Sequence, residues 1–185
     1  MSSDRLFLSL QSSMLQPLIR PASKEDATLL SWLSTVTFYD AYEHLTTKAN
    51  MSFYVDTYFN EFVITEEISS GQHKYFIVFL EQEPAGYVKI GDIHTPEKLA
   101  DEKVLEIERI YVLKKFQKMK IGLLLMDFCR KYAEDGKYSF LWLCVWNENK
   151  TAIEFYRKYG FENFDTTQFR LGEEISDDFL MKLKV

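Results

Sequence analysis

The sequence predicts an α/β (α+β) fold, a mixed sheet with helices packed on its faces. Three observations carry this. Strand and helix periodicities alternate along the chain in the order β-α-α-β-β-β-α-β-α-β-β. The run Ser139 to Trp146 is too apolar for a half-exposed strand and asks for a central place, covered on both faces. The chain then closes on two strands, Thr167–Leu171 and Phe179–Val185, the second alternating as Phe179, Met181, Leu183 and Val185.

The elements follow in order. Residues 1–15 read as a mobile arm or short amphipathic helix, and 16–185 as a single domain. Gln16 to Arg20 is a short strand. Ser23-Lys24-Glu25-Asp26 sets an acid three residues after a hydroxyl, close to a capping box, and Leu29, Leu30, Leu33 and Val36 follow at helical spacing. Met51, Tyr54, Val55, Tyr58 and Phe59 repeat the pattern and give a second helix. Tyr75–Leu80 and Ala85–Ile90 flank the turn Glu81-Gln82-Glu83-Pro84 as an antiparallel pair. Gly91 to Lys103 is a polar surface loop.

Bulk properties narrow the function classes. Hydrophobic residues make up 46% and aromatics 16%, as in a folded globular chain. Acids outnumber bases 28 to 22, a net charge of −6, which argues against nucleic acid as a partner. No run approaches the ~20 apolar residues of a membrane span, and a cytoplasmic location is expected. Cys129 and Cys144 sit in apolar segments without metal-ligand spacing and read as buried thiols of a reducing compartment. The histidines His44, His73 and His94 are scattered over segments that look like loops or surface, so no metal site is expected. Exposed aromatics and the closing strands are compatible with a homodimer.

Three segments carry chemistry. In the strand Leu105–Leu113, apolar residues stand at odd positions first (Leu105, Ile107) and even positions later (Ile110, Val112). One face holds both sets only if an extra residue is inserted near Glu108-Arg109, the trace of a β-bulge. The alternative is a central strand buried on both faces, which the charges of Glu106, Glu108 and Arg109 disfavour. The turn Lys114 to Gly122 then leads into a helix with Leu124, Leu125, Phe128, Cys129 and Tyr132 at core spacing. A helix N-terminus binds phosphate oxygens, although a basic turn before a helix is by itself ordinary solvated charge. Finally, Asn149 opens a helix that Gly160 and Phe161 close. Its Tyr156 is either a proton donor or a half-buried core aromatic.

The Gln117-x-x-Lys120-x-Gly122 turn and the Asn-x-x-Ala-x-x-Phe-Tyr-x-Lys-x-Gly-Phe run at 149–161 resemble the two cofactor motifs of the GCN5-related N-acetyltransferases (GNAT). The likeness spans about residue 16 to the C-terminus. Segments such as Thr37–Tyr42, Ala85–Lys89, Leu105–Val112 and Trp142–Trp146 are similar to the PaiA-type polyamine N-acetyltransferases. The resemblance implies a mostly antiparallel seven-stranded sheet, splayed at a bulge in the fourth strand, and acetyl-CoA as donor without a metal. Ile110, Tyr111 and Val112 would offer backbone groups to the pantetheine and acetyl arm. Gln117, Lys118, Met119, Lys120, Ile121, Gly122 and Leu123 would wrap the pyrophosphate. Asn149 would bond the pantetheine beside a small Ala152, and Lys158 would reach the nucleotide end. Lys120 replaces a glycine of the family loop, tolerable if its backbone keeps a negative φ.

The chemistry so implied is transfer of acetyl to a primary amine, which arrives protonated at neutral pH. Glu108 is the expected proton acceptor, with Glu106 in reserve, and Tyr156 the donor to the leaving sulfur. A backbone N–H near Val112 would polarise the thioester carbonyl. Asp40, Glu43, Glu106 and Glu108, with Tyr39, Tyr42 or Trp32, could line a cleft for a polycation such as spermidine or spermine. A protein N-terminus or lysine as acceptor, and a CoA-binding regulatory module with little catalysis, remain the alternatives.

Overall fold

The central constraint on this sheet is where its two middle strands stop pairing. A computed structural model describes residues 16–171 and 174–185; the arm expected at 1–15 lies outside them. The strands are β1 Leu18–Pro21, β2 His73–Leu80, β3 Glu83–Gly91, β4 Val104–Val112, β5 Phe140–Trp146, β6 Glu162–Leu171 and β7 Glu174–Lys184. They form one seven-stranded sheet in the order β1-β2-β3-β4-β5-β7-β6. Every neighbouring pair is antiparallel except β4–β5. That parallel pair holds only at Val104–Phe140, Leu105–Leu141 and Glu106–Trp142, after which the strands diverge.

Helices α1 (Ala27–Tyr42), α2 (Lys48–Tyr58) and α3 (Glu61–Ser70) precede β2, α4 (Ile121–Asp135) links β4 to β5, and α5 (Lys150–Tyr159) follows β5. α4 buries Leu125, Met126, Cys129 and Ala133. Its Phe128 and Tyr132 pack edge-on against Phe76 of β2. α5 lies beside it, joined by the Tyr159 hydroxyl donating to Asp127 at 2.8 Å. On the opposite sheet face, Tyr75, Tyr87 and Tyr111 stack across β2, β3 and β4 at centroid spacings of 6.3 and 5.9 Å, and α3 meets them through Glu67.

Three expectations need correction. The segment after Phe59 is a third helix, α3. Its ends were legible: the Asn60 side chain accepts from Val63 N at 2.9 Å, and Gly71 closes it at φ 70°. β5 is central but not covered on both faces. Leu141, Leu143 and Val145 are buried on one face, whereas on the other Trp142 is buried and Cys144, past the last rung with β4, is exposed. β6 begins at Glu162, directly after α5, as a long edge strand rather than at Thr167.

The helix start expected at Ser23 holds, as a turn of 3₁₀ helix before α1. Asp26 accepts from Ser23 N at 2.9 Å and takes a bidentate pair from Arg20 of β1, both contacts 2.7 Å. Arg20 holds the Asp26 carboxyl down to about 2. A depressed carboxylate contributes stability above its unfolded pKa and loses it as pH falls through the folded one. Asp26→Asn is therefore expected to cost about 1–2 kcal/mol at pH 7 in a urea titration, with the difference from wild type shrinking between pH 4 and 2.

Candidate active site

The expected bulge is present, and Glu108 is the inserted residue. Lys89 of β3 pairs with Arg109 and Ile90 with Ile107, so nothing on β3 opposes Glu108. The slip brings Leu105, Ile107, Ile110 and Val112 to the core cluster that α4 covers, and turns Glu106, Glu108 and Tyr111 to the other face. The strands are closest just past the bulge: a Cβ on Gly86 would run into the Tyr111 carbonyl, so that position must be glycine.

Beyond the bulge a V-shaped gap opens between β4 and β5. Leu113 N donates to Ala85 O at 2.9 Å. Since antiparallel bonds alternate along a ladder, Tyr111 exchanges bonds with Tyr87, while Ile110 and Val112 turn their backbone groups to the gap. The Gln117 amide already reaches Val112 O at 3.4 Å. No strand takes up these groups among the described residues, so an extended ligand has polar backbone to pair with. The gap leads to the turn before α4. There Lys118 and Lys120 sit at φ 68° and 62°, and α4 has no side-chain cap on its first N–H groups. Lys120 thus departs from expectation: its backbone is left-handed, the conformation that favours glycine. Gly122 has no protein neighbour closer than 3.8 Å to a built Cβ, so packing does not require it; open approach to the helix end does.

The far wall is β5 and α5. Asn149 caps α5, its Oδ1 accepting from Ala152 N at 3.1 Å, so the structural role foreseen for it is real. Its amide group also neighbours the Tyr42 hydroxyl from α1. Tyr156 packs against Phe155 and Phe161, with Tyr42 and Cys129 nearby. Burial pushes its phenol above the usual range, which keeps it protonated at neutral pH. Lys158 is on the exposed side of α5, paired with Glu154 at 2.6 Å.

Glu106 and Glu108 face the same way but differ in charge environment. Glu108 is held by Lys89 Nζ at 2.8 Å and His73 Nδ1 at 2.7 Å, and Lys89 also binds Glu67 at 2.8 Å. His73 is therefore a half-buried strand residue on the Glu108 carboxylate, not a surface histidine. Glu106 has only the exposed His94 imidazole, at 3.0 Å. Burial, then the neighbouring Glu108 charge, raises the Glu106 pKa to about 7.

Above these acids lies a cavity of about 400 Å³ between the end of α1, α2 and the tip of the β6–β7 hairpin. Its walls are Phe38, Tyr42, Tyr54, Tyr111, Trp146 and Phe169; its carboxylates are Glu108, Asp178 and Glu174. Among the described residues no lysine or arginine lines it. Thr46 donates to Glu174 at 2.6 Å, tying the hairpin to the loop after α1. Of the residues expected to form an acidic cleft, Tyr42 and Glu108 are there, whereas Trp32, Tyr39, Asp40, Glu43 and Glu106 do not line the cavity. Glu174 and Asp178 were missed, and Asp178 is the buried one. Its signal was two carboxylates, Asp177 and Asp178, heading an otherwise apolar closing strand.

Both the sequence and the overall fold are matched by known proteins. The profile of the Acetyltransferase (GNAT) family fits residues 35–161. The chain belongs to this family. It is 31% identical over 160 residues to an uncharacterized N-acetyltransferase in the pepI 3′ region of Lactobacillus delbrueckii subsp. lactis, covering 86% of this chain and 92% of that one. In fold it is similar to a PaiA N-acetyltransferase of Thermoplasma acidophilum crystallised with coenzyme A, at a TM-score of 0.77 and 21% identity over 92% of this chain and 99% of that one. It is also similar to a ribosomal-protein-alanine N-acetyltransferase of Brucella melitensis, at a TM-score of 0.64 and 18% identity over 91% and 99%. This GNAT protein is an acyltransferase that takes its acetyl group from acetyl-CoA. The backbone groups turned to the gap and the uncapped start of α4 suit an extended, phosphate-bearing cosubstrate. Among the described residues no cluster of His, Cys, Asp and Glu could hold a metal, and no helix is long and apolar enough to cross a membrane.

The left-handed backbone at Lys120 carries about 1–2 kcal/mol of strain that glycine lacks, offset in part by glycine's freer unfolded chain. Lys120→Gly is expected to stabilise the protein by about 0.5–1 kcal/mol, read as a higher urea midpoint at unchanged slope.

Proposed function

We propose that this enzyme acetylates a small polyamine, spermidine or spermine by preference, by direct transfer from acetyl-CoA. The observation that carries the reading is the cavity at the bulge, which presents carboxylates and aromatic faces and no cation. An ammonium gains from both, by ion pairing and by cation–π contact. The cavity is walled at its far end by the β6–β7 hairpin, which suits a slender chain better than a folded protein surface.

In this reading acetyl-CoA supplies a thioester lying in the gap. Ile110, Tyr111 and Val112 hold its arm by backbone bonds, and a backbone N–H near Val112 polarises the thioester carbonyl. Gln117 to Leu123 receive the pyrophosphate at the start of α4. Asn149 spends Oδ1 on its helix and has its amide N–H groups left for the pantetheine. Glu106 is better suited than Glu108 to take the amine's proton. A base near pH 7 is matched to the task, whereas Glu108 is already ion-paired with Lys89 and in contact with the His73 ring. Tyr156, protonated and walled into the gap, gives its proton to the departing sulfur.

Release of free CoA thiol, followed across polyamines, diamines, amino acids and peptides, tests the acceptor. Turnover confined to peptides, or absent with every amine, would sink the polyamine reading. Only ionised Glu106 accepts a proton, so kcat/KM should rise with pH through about 7. Glu106→Gln should cost at least tenfold and erase that limb, and Glu108→Gln should retain it. Tyr156→Phe should lower kcat by about 10²-fold with little change in KM; turnover within twofold of wild type would remove Tyr156 from the mechanism.

A further inference from the structure

Asp178 is the one cavity acid whose burial is not explained by a partner. It is 7% exposed and pairs in register with Trp146 at the end of β5. Its oxygens accept from the Cys144 thiol at 3.4 Å and the Ser176 hydroxyl at 3.2 Å. It forms no ion pair with any described lysine, arginine or histidine. The contrast with its neighbours is sharp. Glu108, on the same cavity, is paired with Lys89, and Asp26 is paired with Arg20. Burial raises the Asp178 pKa, as expected for a carboxylate withdrawn from water without a cation.

An uncompensated buried carboxylate is costly, and the protein has placed this one where a ligand can reach it. The rings of Tyr42, Tyr54 and Trp146 line the same space and offer π faces to an ammonium. Position decides which ammonium. Trp142 is level with Glu106, and the Asp178 carboxylate sits on the Cys144 thiol, two residues further along, about 7 Å at the rise of a strand. Asp178 is thus offset along β5 from the proposed proton acceptor and meets a charge of the ligand other than the reacting nitrogen.

We propose that Asp178 is the counter-charge for the distal ammonium of the acceptor and sets a preference for α,ω-diamines over monoamines. This rests on the polyamine reading above and adds the residue that enforces it. The test compares 1,8-diaminooctane with octylamine, by kcat/KM and by the shift each amine gives in melting temperature without acetyl-CoA. In the wild type the diamine should be the better substrate and should raise the melting temperature. Asp178→Asn, which keeps shape and removes charge, should lower the diamine-to-monoamine ratio of kcat/KM at least tenfold and abolish the diamine's thermal shift. Its own melting temperature without ligand should equal or exceed that of wild type, which separates charge removal from damage to the fold. An unchanged ratio, or equal losses on both amines, overturns the proposal. If neither amine is acetylated, the transfer reading fails on its own, and the thermal shift still decides for Asp178. A shift in wild type that is lost in the variant upholds the assignment, and a shift that is absent or equal in both overturns it.

Discussion

Three rungs of parallel pairing between β4 and β5, ended at Glu106 and Trp142, are what the rest of the structure depends on. Had pairing run the length of both strands, the backbone of Ile110 and Val112 would be satisfied by β5 and no ligand could enter. The inserted Glu108 enforces the stop. A bulge bends its strand and adds twist, and here it does so immediately after the last rung. The same insertion keeps two sets of apolar side chains on one face, so the core stays closed on the α4 side while the sheet opens on the other. Gly86 completes the arrangement, because the strand that bends away from β5 must press closer to β3.

The bulge also gives two carboxylates two residues apart unlike surroundings. Lys89 is 2% exposed, and a buried ammonium is tolerable only with anions around it. Glu108 and Glu67 supply them, fastening β3, the bulge and α3 into one network with His73 and Tyr75 at its ends. Glu108 is thereby a structural anion as much as a chemical one. Glu106 makes no direct contact with that network's cation, and its burial first, then its neighbour's charge, raise its proton affinity into the neutral range.

Much of this was legible in the sequence, and the reasons are local. The phase slip between Ile107 and Ile110 located the bulge because period 2 admits no other one-faced solution. Gly160 followed by Phe161 marked the end of α5 because the left-handed cap is a short-range requirement. Features that depend on pairs far apart in the chain could not be read. Nothing near Cys144 says that its face is uncovered; that results from β4 leaving at Glu106. His73 reads as a loop residue until β2 sets it against the bulge 35 residues away. Of the acids expected in the cleft, Glu108 of β4 lines the cavity, whereas Asp40 and Glu43, which share a segment with the aromatics, do not, and the remaining acids come from β7. In the sequence Lys120 shows only a side chain foreign to the glycine pattern, whereas its backbone takes a left-handed conformation that favours glycine.

The two walls of the site have different histories in the chain. Everything proposed to touch the donor lies between Ile110 and Lys158, one unbroken strand-helix-strand-helix segment. The acceptor cavity is assembled from pieces more than a hundred residues apart, the end of α1 with α2 on one side and the β6–β7 hairpin on the other, joined at Thr46 and Glu174. Substitutions in those outer pieces can reshape the chamber without disturbing a donor contact. Such a division lets a lineage keep its acyl donor while exchanging one amine for another, with the bulge as the fixed seam between an inherited half and an editable one.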